Sequence, residues 1–158
     1  MRKRIATQTS FPNRSESIDS WLDLEHIATV EVTSEDPAFP IESVFSATQT
    51  SGWRALDKKE QKIGIIFDQP TSIRRIYLRF IEAEIERLQE FTIKWAAEEG
   101  TPMKEVLRQQ WNFSPGGSTS EVEDYEVHLD RVSVLELAIK PDLGRDKAPA
   151  TLAELRLA

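Results

Sequence analysis

The sequence predicts an all-β domain, an antiparallel β-sandwich of jelly-roll type. Three observations predict it. Short segments alternating apolar and polar residues recur from position 61 onward, as in QKIGIIF at 61–67, IRRIYLRF at 73–80 and FTIKW at 91–95. Turn formers separate most of them, namely Asp68-Gln69-Pro70, Gly100-Thr101-Pro102, Ser114-Pro115-Gly116-Gly117 and Pro141-Asp142-Leu143-Gly144. Within each segment the apolar residues keep one phase of a period of two, so each strand has one side to bury against a second sheet.

The elements follow in order. Residues 1–20 are polar, aperiodic and interrupted by Pro12, which predicts a flexible N-terminal arm ahead of a domain spanning 21–158. Trp21, Leu22 and Leu24 open the domain as a short turn laid over the sandwich. Residues 25–33 place Ala28, Val30 and Val32 on one side and read as the first strand. A long connection over 34–60 carries Pro37 and Pro40, with one helical turn expected at 41–45 behind Pro40. The inner faces that follow are Ile63, Ile65 and Phe67, then Ile76, Leu78 and Phe80, then Phe91, Ile93 and Trp95. Strands at 106–113, 123–129, 134–139 and 152–157 complete the set. Residues 81–88 contain good helix formers, but Glu82, Glu84 and Glu86 alternate with Ile81 and Ile85. An extended strand end and a loop are expected there.

Length and composition bound the function. A chain of 158 residues suits one domain, burying about 70% of its unfolded surface. The lack of cysteine removes disulfides and thiol nucleophiles and fits a reducing compartment. The basic start, MRKRIATQTSF, has no apolar stretch behind it, so a cytoplasmic location is expected. No run of about 18 apolar residues suggests a membrane span. A net charge of −7 argues against a nucleic-acid partner.

Several residues are candidates for contact with a ligand. Trp53 offers a stacking face or else a plug for the end of the sandwich, and Arg54 beside it offers hydrogen bonds. Alternation over 108–113 puts Arg108, Gln110 and Asn112 on one side, where forked donors and amides suit hydroxyl recognition. Trp111 falls on the other side with Leu107 and Phe113, and is a second possible stacking surface. Arg79 and Asp124 would extend this site if they share its sheet. Glu82, Glu84, Glu86 and Glu90 are paired carboxylates of the kind a glycosidase needs, but nothing else marks a catalytic cleft, so no enzyme is expected. Arg87 and Gln89 are instead read as orienting these acids in a structural network. His26 and His128 lack metal-site spacing, and Gly116-Gly117 lacks the context of a phosphate loop.

The order of these pieces resembles the discoidin family, also called the coagulation factor 5/8 type C domain, of the galactose-binding-like fold. The marks are Thr33-Ser34, the turn at 40–45, Gly52-Trp53-Arg54-Ala55, the strand at 61–68, Ile73-Arg74-Arg75-Ile76 and Ala153-Glu154-Leu155-Arg156-Leu157. Together they cover about residues 28–158. Residues 109–115 and 121–125 are similar to small free-standing bacterial proteins labelled carbohydrate-binding. The resemblance implies noncatalytic binding of a carbohydrate or small polar ligand, with a protein partner as the alternative. Many family members also hold a structural calcium near the first long connection, through an Asp, backbone carbonyls and a Glu on the last strand. Glu154 matches that Glu, whereas Ser46-Ala47 stands where the family has Asp-Gly, which removes a carboxylate that calcium favours.

Overall fold

A computed structural model describes residues 21–46, 48, 51–145 and 147–158. The arm expected over 1–20 lies outside the described residues.

The chain order is α1 (Leu24–Ile27), β1 (Ala28–Val32), α2 (Glu42–Phe45), β2 (Trp53–Arg54), β3 (Gln61–Ile81), β4 (Arg87–Ala96), β5 (Lys104–Phe113), β6 (Ser120–Lys140), β7 (Thr151–Leu152) and β8 (Glu154–Leu157). A six-stranded antiparallel sheet runs β1-β3-β6-β4-β5, with β8 also paired to β3, while β2 and β7 form a separate ribbon. The long sheet is folded over on itself. Residues 61–66 of β3 pair with 134–139 of β6, and residues 71–81 of β3 pair with 120–132 of β6. The front layer is therefore β1, the first half of β3, the second half of β6, β4 and β5. The back layer is the second half of β3, the first half of β6, and β8.

The sequence reading expected four separate strands where β3 and β6 are two. Asp68-Gln69-Pro70 is a bend rather than a break. Register shifts fall between Ile66 and Thr71, Thr71 and Ile73, and Ile73 and Arg75. Such bulges bend a strand and re-aim its side chains without ending it. The buried set accordingly changes phase, from Ile63, Ile65 and Phe67 to Ile76, Leu78 and Phe80. The matching bend in β6 holds Arg131 at φ 58°. Residues 81–88 are extended at both ends around a short loop, as the alternation predicted. Residues 25–27 form a helical turn, so the first strand starts at Ala28.

Burial between the layers holds the fold together. Ile63, Ile65, Leu137 and Ile139 from the front meet Ile76, Leu78, Leu155 and Leu157 from the back in one apolar cluster. Phe80 of the back layer lies 5.4 Å from Phe91 of the front, ring centroid to centroid. Each such side chain removed from water contributes about 1.5–3 kcal/mol.

The end of the sandwich opposite the bends is tied by polar groups. The Arg87 guanidinium, fully buried, donates to Glu82 Oε1 at 2.8 Å, to the Pro141 carbonyl at 2.7 Å and to Thr151 Oγ1 at 3.3 Å. Burial lowers its affinity for the proton, and the Glu82 carboxylate opposes that effect. Glu82 also accepts from the backbone N–H groups of Glu84 and Ile85. Arg87 thus joins two loops and strand β7, and Glu82 caps the first of those loops. Arg87 orients Glu82 as the sequence reading expected, whereas Gln89 accepts from Arg87 at 3.3 Å and donates to Glu121 rather than to the glutamates of 82–90.

Candidate functional site

The structure distributes the residues that the sequence nominated over three places. Trp53 is in the core, 1% exposed, and its indole N–H donates to the Ser34 carbonyl at 3.0 Å. Of the two roles left open for Trp53, this geometry suits the plug. The ring has no free face for a sugar. Arg54, beside it in β2, is exposed, with its guanidinium 4.2 Å over the Phe39 ring.

Arg108, Gln110 and Asn112 lie on the outer face of the front layer, as their alternation required. The donors of Arg108 and Gln110 turn toward a neighbour in the sheet. Arg108 Nη1 bonds Glu90 Oε2 at 2.9 Å, Gln110 Nε2 bonds Glu90 Oε1 at 3.0 Å, and Lys140 Nζ stands 3.6 Å from the same carboxylate. The Gln110 amide, with the Arg108 and Lys140 cations, holds the Glu90 carboxyl below its ordinary range. Trp111 points the other way. It packs half-buried against the core, and its indole N–H is buried without a hydrogen-bond partner among the described residues. The outer face of this patch therefore lacks an aromatic platform from Trp111.

Arg79 and Asp124 do not join that patch. Both lie on the outer face of the back layer, because the fold-over assigns residues 71–81 and 120–132 to the opposite sheet. Alternation identifies which side of a strand a residue occupies, but not which layer that half of the strand enters. Asp124 makes a two-pronged pair with Arg75 at 2.9 and 2.8 Å, and Arg79 Nε bonds Glu154 Oε1 at 3.3 Å.

A concave site lies elsewhere, beside β8. A cleft of about 360 Å³ opens between the segment entering α1 and the end of α2, lined by Trp21, Leu22, Leu24, Phe45, Glu154 and Arg156 among others. Trp21 is held from behind, its ring 6.2 Å from Tyr77 and its face 4.7 Å from the Arg75 guanidinium. Trp21 and Phe45 are both half-buried, so each keeps part of its ring open. Glu154 and Arg156 line the cleft as well, and their side chains pair at 3.2 Å. Rings beside a fixed charged pair suit a ligand with one apolar face and a rim of hydroxyls. The sequence reading had Trp21 only as a covering turn. An aromatic next to the first ordered element was the available signal, but its partners come from the last strand.

The calcium implied by the family resemblance can be tested against the same region. Arg156 Nη1 donates to the Val44 carbonyl at 3.0 Å and Nη2 to the Ser46 carbonyl at 3.0 Å. The loop carbonyls and the Glu154 carboxylate thus face a guanidinium. No group of three or more His, Asp or Glu residues among those described could hold a metal ion. These residues do not fit a calcium ion.

Similar solved structures share this fold. A family 32 carbohydrate-binding module from Clostridium perfringens NanJ, solved in complex with galactose, superposes with a TM-score of 0.64 at 13% identity, covering 87% of this chain and 96% of the module. A chitosan-binding module from a Paenibacillus chitosanase/glucanase gives 0.59 at 17% identity, covering 85% and 97%. The family 32 module of AlyQ, solved with 4,5-unsaturated mannuronic acid, gives 0.58 at 13%, covering 84% and 95%. No protein-family model and no curated protein sequence matches the chain. At these identities the comparisons establish a common architecture, the galactose-binding-like β-sandwich of the discoidin type. Among the described residues, no helix is long and apolar enough to cross a membrane.

Proposed function

We propose that this chain is a noncatalytic carbohydrate-binding module that seats a sugar in the cleft beside β8. The observation carrying this reading is that Trp21 and Phe45, each partly exposed, line one concavity with the Glu154–Arg156 pair. Each ring offers a face to the sugar's C–H groups, while the Glu154 carboxylate accepts from hydroxyls and Arg156, committed to the α2 carbonyls, holds that carboxylate in place. The fold supports the reading, since similar structures were solved with galactose and with an unsaturated mannuronic acid. A cysteine-free composition is compatible with the cytoplasm as its setting.

A protein-docking role would call for a contiguous apolar surface. The most exposed large apolar side chains include Leu56 and Met103, at opposite ends of the sandwich, with Ile81 and Val122 on the back layer. That scatter favours the sugar. Binding should be weak, because each protein–sugar hydrogen bond replaces one to water.

Titration calorimetry against sugars chosen from a glycan array tests the proposal. Trp21→Ala should weaken binding about tenfold, the worth of one stacked ring. Arg108→Ala, on the far face, should leave affinity unchanged. An array without signal would overturn the reading, and loss in Arg108→Ala but not Trp21→Ala would move the site to the front layer.

A further inference from the structure

We infer that Arg156 is a built-in cation, which fastens the α2 loop to the last strand and makes the fold independent of calcium. Within the long connection, the end of α2 directs its carbonyls at β8. After a helix of one turn, the last carbonyls have no intrahelical partner, and Val44 is fully buried. Its carbonyl must be met by some donor from within the protein.

Arg156 meets that need with suitable geometry. Its side chain is 15% exposed, and the planar fork reaches two carbonyls two residues apart, Val44 in the last turn of α2 and Ser46 just beyond it, with one nitrogen each at 3.0 Å. Nη1 also lies 3.3 Å from the carbonyl of Leu155. Glu154 supplies the counter-charge, pairing through Oε2 with Arg156 and through Oε1 with Arg79. One positive centre therefore gathers two loop carbonyls and a carboxylate from the last strand. A divalent ion placed among the same oxygens would face the guanidinium at close range, and like charges there repel. A guanidinium is covalently attached and cannot be chelated or diluted away. A lysine could not substitute fully, since its ammonium lacks the flat fork that spans two carbonyls.

The inference stands apart from sugar binding, and thermal unfolding reads it without a ligand. The wild-type midpoint should be the same in millimolar calcium chloride and in EDTA. Arg156→Ala should lower it by roughly 5–10 °C in either buffer, and Arg156→Lys by less. If Arg156→Ala fails to fold, amide exchange on the wild type replaces it. The amides of Val44, Phe45 and Ser46 should then exchange no faster in EDTA than in calcium. A midpoint that rises with calcium and falls with EDTA would overturn the inference, as would an Arg156→Ala variant as stable as the parent.

Discussion

Glu121 has an unusual setting for a carboxylate. It is fully buried, Gln89 donates to its Oε1 at 3.2 Å, and its Oε2 has no partner among the described residues. Glu123, two positions on, accepts from the Tyr125 hydroxyl, to which Gln109 also donates at 3.4 Å. Burial first, and the nearby Glu123 carboxyl second, push Glu121 up to about 9. The folded state thus keeps a proton that the unfolded chain releases near an ordinary glutamate value. The stability tied to that proton is full below about pH 4.5 and is lost as pH rises toward 9. Glu121→Gln removes the titration while keeping the shape. It should be roughly 1–3 kcal/mol more stable than the parent at pH 8.5 and much closer to it at pH 4.5. Urea titrations at the two pH values check this. The sequence held a signal here, since Glu121 and Glu123 share the inward phase of Tyr125, Val127 and Leu129. The sequence reading named them only within the 121–125 stretch that carries the family resemblance.

At the scale of the element, β2 and β7 depend on one glycine. Gly52 has φ +73°, and a Cβ added there would lie 2.8 Å from the Leu152 carbonyl oxygen. Backbone cannot yield as a flexible side chain would, so Gly52→Ala meets both a steric clash and a left-handed conformation. It should cost about 2 kcal/mol or more, read as a lower midpoint in urea with an unchanged slope. Elements were legible in the sequence wherever a period of two ran unbroken, as in 61–67 and 91–95. Their joins were less so. A turn and a bulge draw on similar residues, and Asp68-Gln69-Pro70 serves as a bend because β6 continues pairing beyond it. Likewise Leu152 and Glu154 look like one strand, yet the chain changes partner at Ala153, from β2 to β3. Partner choice is a property of the assembled sheet.

For the whole molecule, the defining contacts join distant parts of the chain. Gln61 pairs with Ile139, Ala28 with Phe67 and Ile76 with Leu157. Closing such long loops precedes the gain from pairing, which slows folding. Refolding should take milliseconds to seconds in stopped-flow fluorescence, and a microsecond phase carrying the full amplitude would contradict this topology. The same topology explains why the candidate site was only partly readable. Trp21 and Arg156 come from opposite ends of the described chain, and no local spacing links them. Arg79 and Arg108 looked like neighbours by pattern, yet stand on opposite outer surfaces.

Because β3 and β6 each belong to both layers, neither layer can detach while the other survives. Pulling one sheet away strips its own strands out of the other. Proteases should therefore meet either an intact sandwich or a fully open chain, with no stable half-molecule left among the fragments.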